Sequence, residues 1–237
     1  MFNQLTNILI LGVCLVWPSN LFHASEAEGA SLAFKGNNIT VASCWEKTSC
    51  TEHLLLWQRW LNVNQDHKVR ERKCNMMIPA KASAIVRLLR DNTLAPEWMS
   101  MVDSVQLLAR EGNDVWYNLA VYKMPWPFHD KYLSTRVQLH HYHHDGIYRV
   151  NIVSDMSKTD AHKTINDIGN FAAEWTIVPV CGDLSFVEFT AHSVAAPLFP
   201  RWIQDPIIDH AFANTMENFY ALALKINKHE HPKAAIH

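Results

Sequence analysis

The residues with the richest chemistry crowd into one run, His140-His141-Tyr142-His143-His144-Asp145. On an extended strand His141 and His143 point the same way, and Asp145 adds a third ligand type for a divalent metal. The run ends at Asp145-Gly146, a turn signal, where a solvated histidine edge is cheap. The edge is the preferred reading, so no metal is expected. Near pH 6 the patch would gain positive charge, which suits transient docking on an acidic membrane surface.

Cysteines come next. Cys44 and Cys50 flank Trp45-Glu46-Lys47-Thr48-Ser49, which reads as a polar loop closed by a disulfide contributing roughly 2–3 kcal/mol. With Cys74 and Cys181, an exported chain would hold four thiols and up to two bridges, in any of three connectivities. Four buried thiols are the alternative. No Cys-x-x-Cys pair occurs, which argues against a thioredoxin-type centre or a zinc ribbon. There is no Gly-x-Ser-x-Gly elbow, phosphate-binding loop or dinucleotide fingerprint. Neither a catalytic residue nor a cofactor is expected.

The elements that must position these residues are legible in part. Leu5 to Trp17 is almost uninterruptedly apolar, and Pro18 and Ser19 end it. That length suits a secretory leader and falls short of the ~20 residues that span a bilayer. Cleavage after Ala27 is expected, giving a periplasmic or secreted protein. The remainder is 49% hydrophobic and 19% charged by whole-chain composition, which suits one globular domain. A net charge of −2 with no basic block gives no reason to expect nucleic acid.

Residues 25–37 read as a flexible stretch, and the lead-in (28–49) carries a short strand at Ile39–Ser43. Then His53–Val63 and Lys68–Ile78 form a hairpin, and Ala80–Arg90 a helix that Asp91-Asn92-Thr93 and Pro96 end. Six further strands follow: Asp103–Arg110, Asp114–Lys123, Tyr132–His143, Ile147–Ser154, Phe171–Val180 and Leu184–Ala195. Their turns carry Gly112, Gly146 and Gly182. From Pro200 or Pro206 to about Lys228, apolar residues recur at helical spacing from Ile203, Ile207 and Ile208 through Phe212, Met216 and Phe219 to Ile226. Gln204, Asp209, Asn214 and Glu217 fill much of the other face. Residues 229–237 are a tail. The fold class is α+β: a curved antiparallel sheet with a long terminal helix across it.

The motifs between these elements resemble a known family. Pro96-Glu97-Trp98-Met99 follows the short helix, and Met124-Pro125-Trp126-Pro127-Phe128-His129-Asp130-Lys131 joins two strands. Glu174-Trp175 and Pro197-Leu198-Phe199-Pro200-Arg201-Trp202 come later. In order and spacing they are similar to the START (StAR-related lipid-transfer) domain, notably its small bacterial members, over about residues 50–228. The resemblance implies a helix-grip fold around an apolar tunnel. It implies binding of a lipid, sterol or other hydrophobic molecule for carriage or sensing, by a monomer and without chemistry. Polyketide cyclases and aromatases share the fold, so an enzyme is the alternative, and a ligand-free interaction module a third reading. A convergent His/Asp/Arg set in the cavity would favour the enzyme, and a purely apolar cavity the carrier.

Seven residues are the expected ligand contacts. Trp98 and Trp175 would line the tunnel or pack the core, and Trp126, stiffened by two prolines, suits its mouth. Phe212, Met216 and Phe219, spaced by 4 and 3, share a helix face that in a helix-grip fold closes the tunnel. Arg136 is the nearest equivalent of an arginine that some sterol-binding members pair with an acid, whose position falls here at Tyr117 or Asn118. Strand alternation puts Arg136 with Ser134, Gln138 and His140, opposite Leu133, Val137 and Leu139. Exchange of ligand would require the last helix or the 125–131 loop to move.

Overall fold

The computed structural model of the chain describes residues 39–63, 67–124, 129–159, 168, 170–195 and 200–230. The expected leader (1–27), the first part of the lead-in, Trp126 and the tail from 231 lie outside the described residues.

Among the described residues ten strands form one antiparallel sheet: β1 Ile39–Val41, β2 Glu46–Cys50, β3 Leu54–Val63, β4 His67–Ile78, β5 Val102–Glu111, β6 Val115–Tyr122, β7 Lys131–Tyr142, β8 Ile147–Ser154, β9 Phe171–Cys181 and β10 Leu184–Ser193. The spatial order is β1-β3-β4-β10-β9-β8-β7-β6-β5, with β2 also paired to β3. The helices are α1 Ala82–Arg90, α2 Ala95–Trp98 and α3 Arg201–Glu230. After β4 the chain runs through α1 and α2 to the far edge, then returns strand by strand until β10 closes on β4. Consecutive antiparallel strands need only tight turns. Those at Gly112, Gly146 and Gly182 adopt φ of 68°, 67° and 53°, a region that side chains disfavour.

The three helices among the described residues lie on one face of the sheet. The core fills the space between, from Leu54, Leu56, Cys74 and Met76 through Val150, Trp175 and Val187 to Met216, Phe219 and Leu222. α1 buries Ala82, Ala84, Ile85, Val86 and Leu88 and ends on Arg87 and Arg90, placed favourably for the helix dipole. Pro96 does not end that helix directly. It sits in the first turn of α2, where a missing N–H is no loss.

The other face is polar and networked. Glu71 pairs with Arg59 at 2.5 Å and with His192 at 3.4 Å, and Trp45 receives Arg59 and Lys73, each 4.4 Å from its ring centroid. Burial by itself would raise the Glu71 carboxyl, but His192 and Arg59 together hold it below its ordinary value.

Two expectations are corrected. The segment between Cys44 and Cys50 is not a closed loop: Glu46–Cys50 is an extended edge strand on β3. Extended chain advances about 3.3 Å per residue, which carries the two cysteines far beyond the ~7 Å Cα separation a bridge tolerates. Cys44, Cys50 and Cys181 are exposed thiols and Cys74 a buried one, its thiol pushed up by burial. β1 and β2 both pair with β3, β1 within the strand expected at Ile39–Ser43; the stretch read as flexible (25–37) lies outside the described residues.

The second correction concerns α3. It starts at Arg201, with the Pro200 carbonyl accepting from the Ile203 and Gln204 amides, and it runs through Pro206. Trp202, Ile203 and Ile207 are exposed rather than packed on the sheet. The stripe that continues the Met216 and Phe219 face towards the N-terminus is Asp209 and Asp205, at helical spacings of 7 and 4. These carboxylates meet arginines on the helix side of β4: Arg72 Nε to Asp209 at 2.7 Å, and Arg70 Nε to Asp205 at 3.4 Å.

Candidate functional site: a cavity under the last helix

Between the sheet, the α1–α2 turn and α3 lies a cavity of about 260 Å³. Alternation along each strand decides what faces it. Trp116, Asn118, Ala120 and Tyr122 come from β6, and Leu133, Thr135 and Val137 from β7. Val150, Ile152, Phe171, Ala173, Trp175, Phe189 and Ala191 come from β8 to β10. Each set steps by two residues, as one face of a pleated strand must. Leu89, Asn92, Ala95, Trp98, Met99 and Ser100 close one side; Ile208, Ala211, Phe212 and Thr215 of α3 form the roof.

The wall between cavity and core is aromatic. Phe212 stacks on Phe189 (5.9 Å between centroids, 17°), Phe189 lies 4.2 Å from Trp175, and Trp175 meets Trp98 edge-on at 6.0 Å. Behind them Phe219 packs 4.6 Å from Trp175 and 5.1 Å from Trp98. Offset and edge-on pairs of this kind stiffen a wall as well as bury it. The Trp98 indole N–H is buried with no hydrogen-bond partner among the described residues.

The polar groups of the lining are amides and hydroxyls. Asn92 and Asn118 hydrogen-bond through their carboxamides at 2.8 Å. In the alternative orientation the Asn118 amide gives up its oxygen as acceptor for Asn92, and that oxygen accepts instead from Trp116 Nε1 at 3.2 Å while its nitrogen donates to the Tyr117 carbonyl. Thr135 stands directly opposite Asn118 in the sheet register. The Ser100 amide donates to Thr215 Oγ1 at 3.0 Å, linking the α2 exit to α3. Burial pushes the Tyr122 phenol up to about 12, so it is protonated at neutral pH. No Asp, Glu, Lys, Arg or His is among the described lining residues.

The structure gathers some of the expected contact residues here and sets others apart. Trp98, Trp175 and Phe212 line the cavity. Met216 and Phe219 do not: both are fully buried, one turn further along α3, where the helix has reached solid core. Arg136 stands off the cavity as well, because its strand neighbours Thr135 and Val137 take the inward positions; its guanidinium donates to Gln138 at 2.9 Å. Trp126 lies outside the described residues. Asn92 and Asn118 belong to the lining and were not among the expected contacts. Asn118 could have been placed by its alternation with Trp116, Ala120 and Tyr122; nothing in the turn sequence marks Asn92.

The histidine run sits at the β7–β8 turn. His141 stacks on Tyr148 (4.0 Å, 5°) and meets the His143 ring at 4.0 Å. No group of three or more potential metal ligands forms among the described residues.

No protein-family model matches this chain, and the comparison with curated proteins finds no match. Solved structures do match. A STAR-related lipid transfer protein from Xanthomonas axonopodis superposes with a TM-score of 0.65 at 20% identity, over 76% of this chain and 98% of that one. Human STARD10 gives 0.64 at 16% identity, covering 80% of this chain and 76% of that one. Human StAR-related lipid transfer protein 5 gives 0.63 at 12% identity, over 79% and 88%. The architecture is therefore the START-like helix-grip fold, a large open antiparallel sheet with a C-terminal helix on one face.

Proposed function

We propose that this protein binds a hydrophobic small molecule, a lipid or sterol-like compound, in the cavity beneath α3, for carriage or sensing rather than turnover. The observation that carries the reading is an uncharged cavity of about 260 Å³, aromatic and aliphatic on most of its wall. Ligand sites run from roughly 300 to 1,000 Å³ and are mostly apolar with a few placed polar groups. A compact ligand fits the low end. Each CH₂ moved from water into such a wall contributes about 0.8 kcal/mol, so a modest apolar body binds without many polar contacts.

Catalysis on this fold would need an acid or base beside the substrate. The described lining offers only amides, hydroxyls, indoles and a phenol held at about 12. That composition supports carriage. Similarity in fold to lipid-transfer proteins supports the ligand class, although a fold alone hosts many activities.

Native mass spectrometry of purified protein, followed by extraction, tests the reading. The expected result is a mass increment from a co-purified apolar molecule, released by organic solvent. Protein that carries no such mass and takes up no hydrophobic compound on titration would refute it.

A further inference from the structure

The two sides of the cavity differ. β8 to β10 and the α3 roof present Val150, Ile152, Phe171, Trp175, Phe189 and Phe212, all apolar or aromatic. The opposite side, formed by β6, β7 and the α1–α2 turn, carries Asn92, Asn118 and Thr135. The Asn92–Asn118 pair makes this side a fixed polar patch, because each carboxamide orients the other at 2.8 Å.

A carboxamide both donates and accepts more than once, so the pair and the Thr135 hydroxyl keep capacity for a ligand group of either sense. They offer no compensating charge. The cation beside this side, Arg90, is engaged elsewhere: its guanidinium lies 5.3 Å from the Trp116 ring centroid and donates to the Asn113 carbonyl at 2.6 Å. A phosphate, carboxylate or ammonium placed in this cavity would lose its hydration without gaining a counter-ion, which is strongly unfavourable. A hydroxyl or carbonyl would exchange water for an amide of equal polarity.

We infer that the cavity selects a neutral lipid bearing one hydroxyl or carbonyl group, that this group rests on Asn92, Asn118 and Thr135, and that ligands charged at that end are rejected. The inference rests on the proposed cavity function and adds the ligand's chemical class and polar anchor. The apolar body then lies along β8 to β10 beneath Phe212, with Trp98 and Trp175 at its flank.

The test is a matched ligand series read by intrinsic fluorescence, since Trp98, Trp116 and Trp175 all border the cavity. Wild-type protein is titrated at pH 7.5 with dodecane, dodecan-1-ol, dodecan-2-one and dodecanoate. Affinities are scaled by each neutral ligand's partition into hexadecane. The alcohol and the ketone are expected to exceed the dodecane-scaled value by at least about tenfold, the size of one well-made buried hydrogen bond. Dodecanoate is expected to bind at least about tenfold more weakly than the alcohol, the direction set by an uncompensated buried charge.

In Asn118→Leu the excess for the alcohol and ketone should disappear while dodecane binding persists. Asn92→Leu, on a half-buried turn, is the second variant should the first fold poorly. Alcohol and alkane affinities that simply follow partition, or dodecanoate binding as tightly as the alcohol, would overturn the polar anchor and leave the hydrophobic cavity standing. Failure of dodecane and every other member to bind would instead remove the cavity function itself.

Discussion

The two halves of α3 lie on the same sheet and are held to it by different physics. From Thr215 to Ile226 the helix is an apolar wedge: Met216, Phe219, Leu222 and Ala223 are buried in the main core. From Arg201 to Phe212 the sheet-facing stripe is ionic, with Asp205 and Asp209 against Arg70 and Arg72, and Arg70 also donating to Gln58 at 2.8 Å. Arg201 donates to the Lys68 carbonyl and lies over Trp60. The cavity sits under the boundary, roofed by Ile208, Ala211, Phe212 and Thr215. One end of the helix is fastened by core packing and the other by ion pairs, of which Asp205 is buried and Asp209 is half-exposed, so the ionic end is the one that solvent can reach. The roof spans that change.

Phe219→Ala should have the largest effect. It removes a fully buried ring from the junction of Trp98 and Trp175, and truncations of this kind cost about 3–5 kcal/mol. A shift in urea midpoint measures it. A loss under about 1 kcal/mol, ordinary for a surface site, would mean that the second half is no anchor.

Acid should act through the other face of the sheet. The Glu71 carboxyl titrates lower in the folded protein than when unfolded, so the folded state binds fewer protons there. Its contribution is complete above the ordinary value of 4.5 and is lost as pH falls through the depressed folded value. Between pH 6 and 3 the wild-type urea midpoint should drop more steeply than that of Glu71→Gln. Parallel slopes would remove Glu71 as a cause. Because this network lies away from α3, the loss should be global and not confined to either half.

Asp209→Asn should be milder and local. Its carboxylate is 43% exposed, so solvent screening limits the pair to about 1 kcal/mol or less. Amide exchange should quicken over 201–212 and stay unchanged over 215–226; equal acceleration in both would erase the distinction between the halves. Moderate salt should reproduce the pattern in wild type, because half-exposed pairs are partly screened.

The smallest effect is expected at the β7–β8 turn. His141→Ala with His143→Ala should leave hydrophobic ligand binding at neutral pH unchanged, since neither side chain is part of the described lining. Stoichiometric metal in wild-type protein, lost in the double variant, would contradict that placement.

The long hairpins could be read from the sequence because alternation and turn glycines coincide, as at Cys181-Gly182-Asp183 between β9 and β10. β2 could not. Glu46-Lys47-Thr48-Ser49-Cys50 is exposed throughout, so its pairing with β3 leaves no hydrophobic pattern. The start of α3 was obscured by Pro206, and its ionic stripe by geometry: Asp209 reads as part of a polar face until Arg70 and Arg72 are known to stand opposite it and Asp205. Helical spacing put Phe212, Met216 and Phe219 on one face. It could not show that the cavity ends between the first and the other two. Asn92 needed the tertiary fold, since only the α1–α2 turn brings it to β6.

The central claim is that empty, ligand-sized space lies under Ala211 while solid core lies under Met216, one turn and a half along the same helix. Ala211→Phe and Met216→Trp, each added to the ligand-free protein, test it directly through unfolding midpoints and binding of dodecan-1-ol. Ala211→Phe should keep its stability within about 1 kcal/mol of wild type, the modest end for such changes, and lose binding as the ring fills the cavity. Met216→Trp should cost about 1–3 kcal/mol through overpacking, with binding by the folded fraction retained. The reverse pattern, a destabilised Ala211→Phe and a tolerated Met216→Trp that no longer binds, would contradict the account.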